Sequence, residues 1–487
     1  MRQYIFSLTA ATVCGAALAA ASGCGDNLGG GGVAPSDAGL GRDSGGNGSG
    51  VDGAPVDGPS VDGPPVDGAP IDTGSVACAP VWQDFQSGTA LDDQVWGMAT
   101  DENNNLYVAG YEQGVNGVSS NNLDPSGDSQ GVVMKIDPRG QVRWKTTLDT
   151  SDTDTVEDVA VEPGTGRIYA VGRTYGAFDG FVNGGQFDMF LAALDADGKT
   201  TTIFQTGDER PQHPARLNLG PNNVLAVAGY DDTYIPSNFV MSRDDGFIAS
   251  FDRSAIPNGN FTTNFVQYVP LSPNILNRIT GVAVERDGSG SMYVTSLITG
   301  GAQVGIYVKK LNSNGTTAWS HPISRFSVDA ANAVALSPSG DLYVTGATFA
   351  TLGATSFGQQ DAYVLKMDKA TGNVIWAAQA GGPDSDYPTA LAFDDGGNIY
   401  IAGQTLGIVA PGNTNQGSID AFAMKFDPSG TLVSTWQKGT ADDEIVTSMA
   451  VDHCGNVFVG GHSKGAVVDS SKPTAGGYDM FILRAAL

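Results

Sequence analysis

The chain is short of cations. Its 487 residues carry 25 Lys and Arg against 52 Asp and Glu, a formal net charge of −27 with the four His taken as neutral. A surface of that sign repels phosphate backbones and anionic headgroups, so no nucleic-acid partner is expected. Cations, basic proteins and neutral glycans stay open, and acidity is also an ordinary way for an exported protein to remain soluble. Long apolar runs are scarce as well. Beyond Ala21 no stretch approaches the ~20 apolar residues of a membrane-spanning helix. Histidine is limited to His213, His321, His453 and His462, expected on four different blades of the repeat described below, without His-x-His or Glu-x-x-His spacing. A zinc centre is thus unsupported, and each His reads as exposed or singly hydrogen-bonded. Neither a Gly-x-Ser-x-Gly elbow nor a phosphate-cradling glycine loop is present. Charged residues reach only 16%, whereas glycine is plentiful at 67 residues. That balance belongs to many short strands joined by turns.

The first residues read as a targeting segment, a signal peptide over 1–23: Arg2 precedes an apolar, small-residue run from Tyr4 to Ala21. Ala21-Ser22-Gly23-Cys24 resembles the cleavage box of bacterial lipoproteins. That resemblance implies an acylated Cys24, hence an extracytoplasmic protein anchored to the outer membrane or cell surface; plain secretion is the alternative. Residues 24–77 read as a disordered, lipid-anchored linker. From 25 to 77 there are eight Asp and one Arg, with a five-residue Val-Asp-Gly period in VDGAPVDGPSVDGPPVDGAPID. Too few large apolar groups are present to offset ordering entropy, which leaves an extended, self-repelling tether.

From residue 78 onward the chain repeats at about 58 residues. The second strand of each unit is plainest: LYVAG (106–110), IYAVG (168–172), LAVAG (225–229), MYVTS (292–296), LYVTG (342–346), IYIAG (399–403) and VFVGG (457–461). An inner strand precedes each, with Ala99, Ala160, Asn218, Ala283, Ala335, Ala392 and Ala450 in register, small residues suited to the crowded strand near an axis. A third strand follows, as in DAYVLKMD (361–368), and a fourth bears Trp144, Phe204, Phe265, Trp319, Trp376 or Trp436, rings expected to pack between units.

The last unit stops after its third strand, and CAPVWQDFQSG (78–88), with Trp82 in the aromatic register, supplies the missing fourth. The expectation is therefore all-β: a seven-bladed propeller over 78–487, closed by an N-terminal strand that removes exposed edges. Cys78 opens that strand and Cys454 lies in the first hairpin turn of the same blade, so a Cys78–Cys454 disulfide should staple the closure in an oxidising compartment. Two unpaired thiols are the alternative, because two strands separate them.

AVDHCGNVFVGG and DAFAMKFDPSGTLVSTW resemble the bacterial β-propeller repeat (SBBP) family, and the likeness extends over all seven units, least in the third, HPARLNLGPNNVLAVAG. The family implies a propeller in an extracytoplasmic setting and brings no catalytic set. Met367 to Trp376 is similar to the Asp-x-x-Thr-Gly-x-x-x-Trp blade-docking signature of quinone-dependent dehydrogenase propellers, read here as shared blade packing.

Two polar columns recur. Asp93, Asp154, Gln212, Asn277, Asp329, Asp386 and Glu444 stand where the chain enters each inner strand. They read either as caps on their own entry turns or, through Asp93, Asp154, Asp329, Asp386 and Glu444, as a ring at the channel mouth that attracts calcium or a cationic ligand, reinforced by Asp92, Asp152, Asp384, Asp442 and Asp443. Asp188, Asp245, Asp361, Asp420 and Asp479 open the third strands, with Lys135, Lys310, Lys366, Lys425 and Arg484 further along. The connections between second and third strands are long and unlike one another, where specificity is normally placed. The expected function is a monomeric, non-catalytic binding or adhesion scaffold for a protein or glycan, touching membrane through its anchor alone and needing no cofactor beyond that possible calcium. The alternative is an extracytoplasmic propeller enzyme at the channel mouth: a metal-assisted hydrolase, lactonase or polysaccharide lyase.

Overall fold

The computed structural model describes residue 78 and residues 84–487, except 90, 114–128, 234–242, 257–259, 270–275, 300–304, 325–328, 354, 410–411, 413 and 469–476. The signal segment, Cys24, the linker to residue 77 and Trp82 lie outside the described residues. All 28 elements among the described residues are β-strands, and no helix there is long and apolar enough to cross a membrane.

The strands form seven four-stranded antiparallel sheets. Six are built from consecutive strands and span residues 93–148, 154–206, 212–269, 276–324, 330–380 and 386–438, here blades one to six. Blade seven takes Glu444–Val451, Val457–Ser463 and Asp479–Ala485, then Phe85–Ser87 as its outermost strand. The register is Phe85 opposite Ile482, Gln86 opposite Phe481 and Ser87 opposite Met480. This is a seven-bladed β-propeller closed as the repeat count demanded. The Cys78–Cys454 disulfide is formed, with Cα atoms 5.7 Å apart, so the intervening strands do not exceed disulfide reach.

Register explains the small inner residues. Ala99, Ala160, Ala283, Ala335, Ala392 and Ala450 face Tyr107, Tyr169, Tyr293, Tyr343, Tyr400 and Phe458 across the first hairpin. Those six rings are buried, so the small partner leaves room for a large one. Blade three reverses the pair, with Asn218 opposite Ala226, and the Asn218 side-chain Oδ1 accepts Val284 N–H of blade four at 3.0 Å.

Each inner strand bulges at one residue, which is always three before the small one: Trp96, Glu157, Ala215, Thr280, Asn332, Thr389 and Thr447. The bulge pushes a carbonyl against the second strand. A Cβ at Gly110, Gly172, Gly229, Gly346, Gly403 or Gly461 would meet that carbonyl oxygen at 1.8–2.2 Å, which is why these strands carry glycine there.

Hydrophobic cores lie between blades; one joins Tyr169 and Leu191 of blade two to Phe247 and Phe251 of blade three. The aromatic column proves to be two registers. Trp144, Phe265, Trp319 and Trp376 pair with Lys135, Ser250, Lys310 and Lys366, whereas Phe204 and Trp436 sit two residues further along, opposite Leu191 and Ala423. The first group rests on a positive-φ glycine in the next blade's turn: Gly198, Gly315, Gly372 and Gly430 respectively, where a Cβ would lie 2.5–2.8 Å from the ring. Trp319 also donates its indole N–H to Lys369 O at 3.1 Å. The Asp368–Gly372 turn is thus blade docking, as its sequence implied.

Candidate functional site

The entry column is buried. Asp93, Asp154, Asn277, Asp386 and Glu444 are 0% exposed, Asp329 2% and Gln212 5%. Asp154 accepts Thr150 N–H at 2.6 Å and its hydroxyl at 2.9 Å; Asp386 accepts Gly382 N–H at 2.7 Å and the Thr405 hydroxyl at 2.6 Å. Glu444 accepts Thr440 N–H at 2.9 Å and the Ser463 hydroxyl at 3.0 Å, and Asp329 accepts Phe349 N–H at 2.8 Å. Thr89 serves Asp93 in the same way. Burial pushes the Asp93 carboxyl up to about 6 and those of Asp154, Asp386 and Glu444 up to about 7, against the pull of these donors. Of the two readings of this column, burial sets aside the ring at the channel mouth: these groups turn into their own entry turns, as the capping reading has it, because the strand that delivers them is covered by the neighbouring blade. Among the described residues no three His, Cys, Asp or Glu side chains converge in a group able to hold a metal.

The second column acts with a residue type the sequence reading passed over. Gln205, Gln379 and Gln437 donate to Asp188, Asp361 and Asp420 at 2.8–2.9 Å. Each also holds the stem of the loop that joins strands two and three. Gln437 donates to Gly407 O at 2.8 Å and accepts Val409 N–H at 2.8 Å; Gln205 does the same with Gly176 O and Phe178 N, and Gln379 with Ala350 O and Leu352 N. The signal was legible as Gln-x-Gly: Gln205-Thr206-Gly207, Gln379-Ala380-Gly381, Gln437-Lys438-Gly439 and Gln86-Ser87-Gly88. A Cβ on any of those four glycines would collide with a buried carboxylate at 2.0–2.2 Å. The third-strand lysines lie over second-strand rings, Lys135 on Tyr107, Lys310 on Tyr293, Lys366 on Tyr343 and Lys425 on Tyr400, at 5.1–5.6 Å.

Around the axis the bulge residues form a belt. Thr280 donates to Ala331 O, Asn332 to Pro388 O, Thr389 to Val446 O and Thr447 to Val95 O, each bond crossing to the next blade. The belt breaks at blades one to three, where Trp96, Glu157 and Ala215 stand. There Asp158 accepts Leu217 N–H at 2.9 Å, and Arg216 reaches from blade three to Thr447 O of blade seven at 3.5 Å. Arg173 pairs with Glu157 at 3.0 Å and lies 2.6 Å from His213 Nδ1, whose ring stacks on Tyr230 at 4.9 Å.

The histidines do not share a site. His453 is exposed beside Asp395 at 2.8 Å, whereas His462 is buried between Trp96 and Tyr478, where burial pushes it down to about 3 and keeps it neutral. Both belong to blade seven, not to separate blades as the sequence reading had it.

On the same face as the loops, a cavity of about 110 Å³ lies at the seam of blades two and three. Met189, Phe247, Ala249 and Val266 supply apolar wall; Asp208, Gln212, Asp231 and Tyr268 supply polar atoms. Arg210 lies over the Tyr268 ring and pairs with Asp208 at 2.8 Å, Asp231 at 3.1 Å and Asp245 at 4.0 Å. Burial pushes wholly buried Asp231 up to about 7, while Arg210 draws it down.

Residues 375–408, in blades five and six, match the family model of the β-propeller repeat, SBBP. The match is to a propeller unit. Regulatory protein FlaEY of Caulobacter vibrioides is 25% identical over 133 residues, which is 26% of this chain and 14% of that protein. An uncharacterized WD repeat-containing protein of Acanthamoeba polyphaga mimivirus is 22% identical over 443 residues, 78% of this chain and 29% of that one. The chain thus spans less than a third of either curated relative. A crystal structure of Sqt1 from Chaetomium thermophilum has a TM-score of 0.43 at 14% identity, covering 81% of this chain and 97% of that one.

Proposed function

We propose that this chain is a non-catalytic binding scaffold displayed at the bacterial cell envelope. Acylated Cys24 would hold it, residues 25–77 would space it from the membrane, and the loop-bearing face would recognise a protein or glycan. One observation carries the reading: the recurrent polar groups are consumed in building the frame. Four Gln-x-Gly units fasten loop stems and the entry carboxylates cap their own turns, leaving the connections between second and third strands, which are unlike one another in sequence, to carry specificity. The acidic surface favours a basic or neutral partner.

The test has two arms. Cys24→Ala should move the protein from the membrane fraction to the soluble exported fraction, and intact cells should lose it to added protease only when Cys24 is present. Purified protein should retain a defined peptide or glycan from an array and lose it when 114–128 is replaced by a Gly-Ser linker. Retention independent of every strand-two-to-three connection sinks the reading.

A second reading, an extracytoplasmic enzyme at the channel mouth, draws on the broken belt. Glu157, Arg173 and His213 are unlike, blade-specific groups in contact, the asymmetry a catalytic site needs. Turnover of a lactone or polysaccharide that Glu157→Gln abolishes would favour it.

A further inference from the structure

The third strand of blade four carries a lysine at a position that is apolar in every other blade. Aligned by the second-strand residue opposite, the column reads Met134, Ala192, Ala249, Lys309, Leu365, Met424 and Leu483. Its six apolar members are at most 4% exposed. Each shares a core with the preceding blade, and each of those cores holds that blade's second-strand ring, as Tyr107 does for Ala192 and Tyr343 for Met424. Lys309 faces a seam without such a ring. Val294 opposite it and Leu311 on its own strand pack against Ala226 and Ile248 of blade three, and Ala226 stands where the ring would be.

The lysine head is also without a counter-ion. Every other lysine on a described strand lies over a tyrosine ring or pairs with a carboxylate, whereas half-buried Lys309 has neither among the described residues. Its flank brings no charge: Tyr307 and Leu311 on its own strand, Val294 and Ser320 across from it, and Ile248 and Phe265 of blade three, with Tyr307 the one titratable group. Removal of an unpaired ammonium from water favours the neutral amine, so burial pushes Lys309 below the ordinary lysine range.

We propose that Lys309 is a covalent capture site whose amine condenses with a small aliphatic aldehyde. The amine nitrogen bonds to the carbonyl carbon, the C–O bond breaks, and the oxygen leaves as water with both amine protons. An imine remains, and no oxidant or reductant is consumed. A desolvated lysine is a nucleophile of this kind, and the apolar seam that frees its lone pair also favours an alkyl chain. The site lies in the wall of the ring, so it stands apart from the scaffold reading.

The purified full-length chain is treated with butanal and cyanoborohydride, which traps an imine as butyl-lysine, and its peptides are mapped by mass spectrometry. At pH 7 Lys309 should be butylated about tenfold faster than exposed Lys199, and the ratio should fall at pH 11, where every amine is neutral. Ala226→Phe restores the ring of the other seams and should slow Lys309 without slowing Lys199. Lys309→Met, the residue of blades one and six, should lose the fast site and unfold at higher urea than wild type. Lys309 butylated no faster than Lys199, a ratio independent of pH, a rate untouched by Ala226→Phe, or a lower urea midpoint for Lys309→Met overturns the assignment.

Discussion

Gln86 donates its side-chain amide to Gly465 O at 2.8 Å and accepts Val468 N–H at 3.2 Å, across 379 and 382 positions of sequence. These are the bonds Gln437 makes within blade six. The N-terminal strand therefore brings the fourth strand's side-chain chemistry to blade seven, together with its edge. Gln86→Leu leaves a loop stem without its clamp, and an unmet buried group costs about 1–3 kcal/mol. Urea unfolding should show that loss, and limited proteolysis should cut near residue 78 faster than in wild type. Unchanged proteolysis would mean that backbone pairing alone closes the ring.

The disulfide should matter more than any single hydrogen bond. Cys78 and Cys454 are 376 positions apart, and the chain-entropy account assigns so long a loop about 6 kcal/mol as an upper figure. The double variant Cys78→Ser, Cys454→Ser should unfold at lower urea than wild type, and reductant should bring wild type to the same midpoint. If reductant leaves the wild-type midpoint where it was, closure does not depend on the covalent link.

Trp376 and Gly430 form a pair that can be tested as a cycle. Gly430 has φ +89°, and a Cβ there would meet the Trp376 ring at 2.8 Å. Gly430→Ala should cost about 1–3 kcal/mol through backbone strain and ring displacement. In a Trp376→Ala background the steric part vanishes, so the two changes should be less than additive in denaturant midpoints. Strict additivity would leave only the backbone contribution.

Stability should fall as pH rises through neutrality. Asp93 is held up to about 6, and Asp154, Asp386 and Glu444 up to about 7, by burial. A group whose folded value exceeds its unfolded value near 4 binds more protons when native. Its contribution is complete below about pH 4 and lost as pH climbs through 6–7. Self-repulsion among the 27 excess negative charges acts with the same sign. The unfolding midpoint should thus be higher at pH 5 than at pH 8, and Asp386→Asn should flatten that slope. A midpoint that rises with pH would show these carboxyls ionised in the folded state.

Much of the frame was readable in advance, for a definite reason. Ala99 opposite Tyr107, repeated as Ala392 opposite Tyr400, follows from strand alternation, which fixes which side of a sheet a residue occupies. The direction taken by a polar side chain is not so fixed. Asp386 was assignable to an inner-strand entrance as either a cap or a ring member, and only the packed structure decides for Gly382 and Thr405 over the axis. Gln-x-Gly at Gln86, Gln205, Gln379 and Gln437 was visible, but its purpose needs the loop stem and the third-strand acid together, and neither adjoins it in sequence.

By itself the sequence determined the number of blades, the closing strand, the cysteine pair and the small-against-large register, because local periodicity and the count of repeats are properties of the string. Only the tertiary structure decided that the carboxylate column is buried, that a belt of hydrogen bonds breaks at blades one to three, and that Arg210 draws three acids to the edge of a cavity. Those outcomes depend on which side chains of adjacent blades meet after the ring closes, and no period along the chain encodes such a meeting.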